Sequence, residues 1–324
     1  MKKIIVCLHF FYCSLILPVT VCSQTDTSYY KHLPQKDFLQ LYAGSFSRSI
    51  DFISVNKEKQ VPKINYSPNS SAFCGFVLGY KKITLYGDVA LPLFTKVNRR
   101  ESDVRAVSFF LSYFRSQWGV TGFAGYNRGL LMRIENMGMQ YNSRSDLRTY
   151  HAGAHFYRIF NASKFSFIAA NSQQMLQVKR AGGFIIKITP SFRLIKTPES
   201  IIPVEKSKYH FLGEMVTIKQ IQLFSLQLKP GYGYNYVFKN SHFFVAPSVF
   251  AGAGADYHLL QQTEKQQNGF NLNVGYRFKT TAGFNNTKYF ATLEFLIDHS
   301  RSYLYQSLAT NTYRECSVNF GFRF

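Results

Sequence analysis

The chain has 324 residues, a formal charge of +21 and a mean hydropathy of −0.13, yet charged residues make up only 17% of it while 32 Phe and 22 Tyr carry most of a further 17%. Beyond an apolar leader, no run approaches the ~20 apolar residues of a membrane helix, which excludes a helical span. Two cysteines outside that leader, Cys74 and Cys316, are too few and too far apart for a disulfide framework and have no zinc-ligand neighbours.

In chain order, residues 1–23 form the first element. Lys2 and Lys3 precede an almost wholly apolar stretch from Ile4 to Val19, and Val21 and Ser23 are small residues where a signal peptidase reads. The stretch reads as a cleaved signal peptide for export. Cys22 raises a lipoprotein alternative, but Val21 stands where lipoprotein signals resemble a pattern with Gly, Ala or Ser. Residues 24–37 then read as a periplasmic N-terminal segment, and 38–324 as a single domain, since no composition break divides them.

That domain is a succession of period-two segments. Side chains on a strand alternate faces, so an apolar register interleaved with a polar one marks a strand between an oily medium and a wet one. The expected strands cover Leu39–Arg48, Ala72–Tyr80, Ile83–Leu91, Val104–Phe114, Trp118–Tyr126, Arg148–Phe156, Phe165–Asn171, Phe184–Leu194, Phe224–Tyr236, Phe243–Asp256, Phe270–Phe278, Tyr289–Ile297 and the C-terminal stretch. In the last, Cys316, Val318, Phe320, Phe322 and Phe324 alternate with Glu315, Ser317, Asn319, Gly321 and Arg323. Short connections, such as Lys81-Lys82, Ser116-Gln117 and Asn161 to Ser163, alternate with long polar ones at 92–103, 127–147, 257–268 and 299–311. The expectation is all-β: a closed antiparallel transmembrane β-barrel of about 12 strands, within a range of 10–14, its short turns periplasmic. Thirteen segments do not close an even barrel, and the misfit is expected between Lys179 and Ile221, where "KTPESIIPVEK" interrupts the pattern: either "YHFLGEMVTI" is a further strand or one of the thirteen segments is not a spanning one. Closure is required because unpaired backbone groups in hydrocarbon cost several kcal/mol each.

Stretches in the middle of the chain, "INYSPN", "GFVLGYKKITLYGDVALP", "QVKRAGGFIIKI", "IIP" and "PGYGYNYVF", follow one another in the order seen in an uncharacterised bacterial outer-membrane family, domain-of-unknown-function family 4421. The chain resembles that family over about residues 64 to 240. The resemblance implies a barrel in the outer membrane of a Gram-negative bacterium and implies no activity. The terminal Phe324 strand is also similar to the signal read by the barrel assembly machinery.

Candidate sites are few. His151 and His155 share an inward register but lie about 13 Å apart at ~3.3 Å per residue, too far to chelate one ion. Asp298, His299 and Ser300 have the residue types of a hydrolase, yet consecutive strand residues face opposite ways. The glycine pairs of "PGYGYNY" and "AGAGADY" complete no nucleotide-binding fingerprint. No catalytic, cofactor-binding or metal residue is therefore expected, and no cofactor. The positive charge has two explanations in an exported barrel, neither involving nucleic acid: a basic lumen favouring anions, or basic loops meeting lipopolysaccharide phosphates. Lys96, Arg99, Arg100, Arg128, Arg133, Arg144, Arg148, Lys265 and Arg301, in or beside the long connections, favour the second. Inward candidates Arg277, Lys279 and Arg323 have Asp88, Glu294 and Glu315 as candidate partners. The expected function is passive, a narrow channel or structural surface protein, monomeric and not an enzyme. The alternatives are a lipid-modifying barrel enzyme and a surface-loop binding module for glycans or peptides.

Overall fold

The computed structural model describes residues 26, 28–33, 37–54, 63–97, 105–134, 142–202, 217–239, 241–262, 265–304 and 307–324. Among them the wall strands are β2 (Phe38–Ser54), β3 (Lys63–Pro68), β4 (Ala72–Tyr80), β5 (Ile83–Leu91), β6 (Arg105–Phe114), β7 (Trp118–Ile134), β8 (Asn142–Ile159), β10 (Ala181–Lys196), β11 (Ile218–Val237), β12 (Phe243–Gln262), β13 (Gln266–Asn285), β14 (Tyr289–Leu304) and β15 (Ser307–Arg323). Each pairs antiparallel with its neighbours, and β15 pairs with β2 from Arg323↔Phe38 to Ser307↔Ser54, which closes the barrel. A closed wall leaves no strand edge facing lipid.

The strand count depends on height. At the short-turn end β2 pairs with β4, and β4, β5, β6 and β7 follow in order, giving 12 strands. Nearer the loop end β2 pairs instead with β3, and β3 pairs directly with β7 from Ile64↔Ile134 to Pro68↔Leu130. β3 and β4 are thus two halves of one wall position, broken at residues 69–71. The shorter β5–β6 hairpin ends at this break, so only ten strands continue above it. Asn69 holds the junction: its Oδ1 accepts from the backbone N–H of Lys96 at 2.9 Å and of Val97 at 3.0 Å. Pro68, which has no N–H to give a ladder, ends β3 at that point.

The outer face carries what a globular core normally hides. Phe184, Phe270, Leu272, Val318 and Phe324 are all more than 60% exposed. On β8 the outward positions between Arg158 and Arg148 are Phe156, Ala154, Ala152 and Tyr150, with no charge among them. Ten residues at ~3.3 Å each, tilted by ~35–45°, rise about 25 Å, the height of a lipid-facing band. Cys74 and Cys316 are free thiols on this outer face, as their apolar registers imply.

Several expectations need correction. Phe165–Asn171 is no spanning strand: it contains the five-residue helix α1 (Phe167–Asn171), capped by Ser166, whose Oγ accepts from the Ala169 N–H at 3.1 Å. The extra segment in the count lies here, upstream of the interval from Lys179 to Ile221. "YHFLGEMVTI" lies outside the described residues except for Thr217, in a single turn, and Ile218, where β11 begins. The connection at Asn161 to Ser163 opens a long inward excursion rather than a short turn. The long loops expected at 127–147, 257–268 and 299–311 are largely strand, because β7, β8, β12, β13, β14 and β15 run on beyond the apolar band.

Candidate functional site

The lumen is a chamber between two closures, and both arise from segments whose sequence breaks the strand rhythm. At the short-turn end, residues 160–180 fold into the mouth. Within them β9 (Met175–Gln177) pairs antiparallel with β1 (Tyr30–His32), so the N-terminal segment is docked on this plug. Phe165, Phe167 and Ile168 are buried against Phe114, Ile159, Ile185 and Phe250 of the wall. Gly183 and Gly233 form the seat for Phe165: a Cβ on either would stand 2.8–2.9 Å from its ring. That explains the glycines of "RAGGF" and "PGYGY", which let an aromatic ring lie against backbone.

Polar contacts fix the plug further. Asn235 donates to the Ser166 carbonyl at 2.8 Å and to Gln177 Oε1 at 3.0 Å, and Gln177 Nε2 donates to the carbonyls of Lys164 and Lys179 at 2.7 and 2.9 Å. Among the described residues Arg323 stands in no ion pair. Its guanidinium donates to Asn285 Oδ1 at 2.7 Å and to the carbonyls of Gln173 and Asn286, and lies 4.6 Å over the Phe290 ring.

At the loop end the lumen is filled by apolar side chains from all round the wall. Ile50, Phe52, Ile64, Tyr66, Met132 and Leu260 belong to one buried cluster that includes Ile201 and Ile202, from the segment following β10. This overturns the expectation of a uniformly polar inner register. The parity of β7 changes at Gly129, whose φ of 79° lies in the left-handed region, and the pairing shifts between Arg128 and Leu130. The bulge turns Leu130, Met132 and Ile134 inward. Arg144 clamps the cap: its guanidinium donates to the Ile201 carbonyl at 2.6 Å, the Ser200 carbonyl at 2.7 Å, Thr197 Oγ1 at 3.0 Å and Asp146 at 2.8–2.9 Å. Tyr66 OH donates to the same Ile201 carbonyl at 2.6 Å. Arg144, expected at a lipid-facing loop, is therefore a buried structural cation, while Arg99 and Arg100 lie outside the described residues.

Between the closures lies a cavity of about 400 Å³ with a mixed polar and aromatic lining. His151 and His155 both face it, as their register implies, and His155 Nδ1 lies 2.9 Å from Thr189 Oγ1. Arg277 and Lys229 share Asp298, at 3.2 and 3.5 Å, and Lys279 pairs with Glu294 at 2.9 Å. Asp88 accepts from Tyr42 at 3.3 Å and Glu315 from Tyr313 at 2.6 Å. Arg48 and Arg193 differ from these. Both line the cavity, act electrostatically on each other and on His151, and stand in no ion pair among the described residues. Arg48 instead lies 5.2 Å over the Tyr313 ring. Sequence reading missed these two because neither sits in a motif; their inward register was the available signal.

Asp298 faces the lumen, whereas His299 stacks outward on Tyr276 at 5.0 Å, so the hydrolase-like triplet is divided between two faces. Among the described residues no group of three His, Cys, Asp or Glu is gathered as for a metal.

A closed, plugged barrel with an oily outer belt defines an outer-membrane-type β-barrel. The chain belongs to the family described as Domain of unknown function (DUF4421), whose model matches residues 24–324. The stretches "INYSPN", "QVKRAGGFIIKI", "IIP" and "PGYGYNYVF" that carry the likeness supply the wall break, the plug and its glycine seat, and the cap. Among solved structures the chain is similar to the outer membrane protease OmpT from Escherichia coli, with 8% identity over 93% of this chain and 100% of that one at a TM-score of 0.40. It is also similar to a mutant of the TodX monoaromatic hydrocarbon channel, with 7% identity over 90% and 91% at 0.32. A bacterial polysaccharide outer membrane secretin gives 11% identity over 90% and 99% at 0.33. No curated protein matches the chain.

Proposed function

We propose that the chain is an outer-membrane protein of a Gram-negative bacterium, exported by a cleaved signal peptide, that serves as a gated passage for small anions. It acts as a monomer and without catalysis. The observation that carries the reading is the chamber itself: a cavity of mixed polar and aromatic lining, in which Arg48 and Arg193 stand in no ion pair among the described residues, between a seated plug and an apolar cap. Arg48 acts repulsively on Arg193, and the carboxylates that act on the two, Asp88 on Arg48 and Asp256 and Asp298 on Arg193, form an ion pair with neither among the described residues. A solute bearing one negative charge meets both guanidinium groups and relieves that repulsion. Selectivity then follows from the lumen, and gating from the closures.

Planar-bilayer recording of the purified full chain tests this. Wild-type protein is expected to conduct rarely. A variant carrying both Ile202→Asp, which destabilises the cap, and Gly233→Val, which unseats Phe165, is expected to show steady anion-selective steps. Adding Arg48→Gln and Arg193→Gln should remove the selectivity while leaving the steps. Silence from the doubly opened variant, with its barrel intact by heat-modifiable migration, would contradict the passage.

A further inference from the structure

At the upper limit of the charge-free band, one sector of the outer wall carries cations in a row. Arg105 stands opposite Arg128 across β6 and β7, Arg128 opposite Arg148 across β7 and β8, and Arg148 opposite Lys196 across β8 and β10. Their chain neighbours Ala106, Asn127 and Ile195 line the lumen and Thr149 is buried, so all four side chains point outward. Directly opposed side chains have Cβ atoms about 4.5–5.5 Å apart, and like charges at that distance destabilise a sheet. The wall offers Arg128 one hydrogen bond, its Nε donating to the Ser145 carbonyl at 3.2 Å, and among the described residues Arg128, Arg148 and Lys196 stand in no ion pair. On these four strands the one carboxylate is Asp146, and it is occupied by Arg144 and Thr197.

What lies beneath the row indicates its surroundings. Tyr126 and Tyr150 form a ring pair at 5.0 Å one step below it, and Lys196 Nζ sits 5.4 Å from the Tyr150 ring. Below them the outward positions are apolar down to Trp118 and Arg158 at the other end. An aromatic girdle marks the membrane boundary. Cations just above such a girdle stand at the height of lipid headgroups.

We infer that this row docks the phosphate groups of a phosphorylated glycolipid, of the lipopolysaccharide kind, in the leaflet around the loop end of the barrel. Guanidinium groups offer forked donors that match phosphate oxygens, and neighbouring strands set them at a spacing that lets two of them share one phosphate. The acyl chains then lie along Tyr126, Tyr150, Val107 and Leu194. The inference rests on the membrane reading above and is independent of the chamber.

The test titrates the detergent-purified full chain with lipopolysaccharide, dephosphorylated lipopolysaccharide and inorganic phosphate, and follows the temperature of the heat-modifiable gel shift. Lipopolysaccharide is expected to raise that temperature in the wild type. In the Arg128→Gln, Arg148→Gln double variant its apparent affinity should fall roughly tenfold or more. Arg158→Gln, at the opposite end of β8, should leave the affinity unchanged. Without lipid the double variant should still show the heat-modifiable shift of a folded barrel, so that the change is read in lipid affinity. Equal stabilisation by the dephosphorylated lipid, the same effect from phosphate alone, or an unaffected double variant would each overturn the site. Failure of the membrane reading looks different: the chain would stay in the aqueous fraction without detergent and give no gel shift at all.

Discussion

Arg144 shows how much a single residue contributes here. Its guanidinium donates to the carbonyls of Ser200 and Ile201 beneath an apolar cap, the second shared with Tyr66 OH, and anchors Asp146 and Thr197 at the same time. Replacing it with glutamine leaves those acceptors short of donors, at a cost of about 2–4 kcal/mol for a buried, charge-assisted network. Arg144→Gln is therefore expected to lower the temperature of the gel shift and to open residues 197–202 to protease added from the loop side. Unchanged protection of that segment would show that the apolar cluster alone holds the cap. From the sequence Arg144 was one basic residue in a presumed loop. Its burial follows from the bulge at Gly129, a backbone event that no local residue pattern announces.

Among elements, the strands were legible wherever lipid and lumen imposed alternation, and illegible where they did not. Beyond the apolar band the continuing parts of β12, β13 and β15 face water or the polar rim on one side and the lumen on the other, so the oily register fades while the hydrogen-bonded ladder goes on. The plug deceived in the opposite sense. Phe165, Phe167 and Ala169 fall on one register with Ser166, Ile168 and Ala170 on the other, and a helix of five residues is too short to display a 3.6-residue period. What places this segment is its seat, and the seat residues Gly183 and Gly233 lie 18 and 68 positions away. Gly233→Val should push Phe165 out of the mouth and speed hydrogen exchange across residues 160–180, leaving exchange at the cap as in the wild type. Equal acceleration at both ends would mean that the closures are not independent elements.

At the scale of the whole molecule, the opposition of an oily outside and a wet or filled inside accounts for the odd composition. Abundant aromatics, few charges and near-zero mean hydropathy are what remain when half of each strand faces acyl chains and half faces a lumen. The ion pairs inside were legible in part: Lys279 finds Glu294, one of the three candidate acids, whereas Arg277 took Asp298, a residue otherwise read as one of an enzyme-like triplet. Arg277 and Asp298 stand directly opposite each other in the β13–β14 hairpin, so the register of that hairpin decides the pair. Closure itself was legible, down to a last strand that pairs along its length with the first.

The alternation along β15 tests that claim most directly. In a background with Cys74→Ala, the native Cys316 serves as one spin-label site, and single cysteines placed at 317, 318, 319 and 320 in a Cys316→Ser chain provide the others, each reconstituted into lipid vesicles. Labels at 316, 318 and 320 should be relaxed strongly by oxygen and weakly by a water-soluble nickel complex. Labels at 317 and 319, facing the lumen, should lose that lipid signature. A flat profile along the strand, or nickel access at 316 equal to that of an aqueous loop, would contradict a barrel wall standing in the membrane.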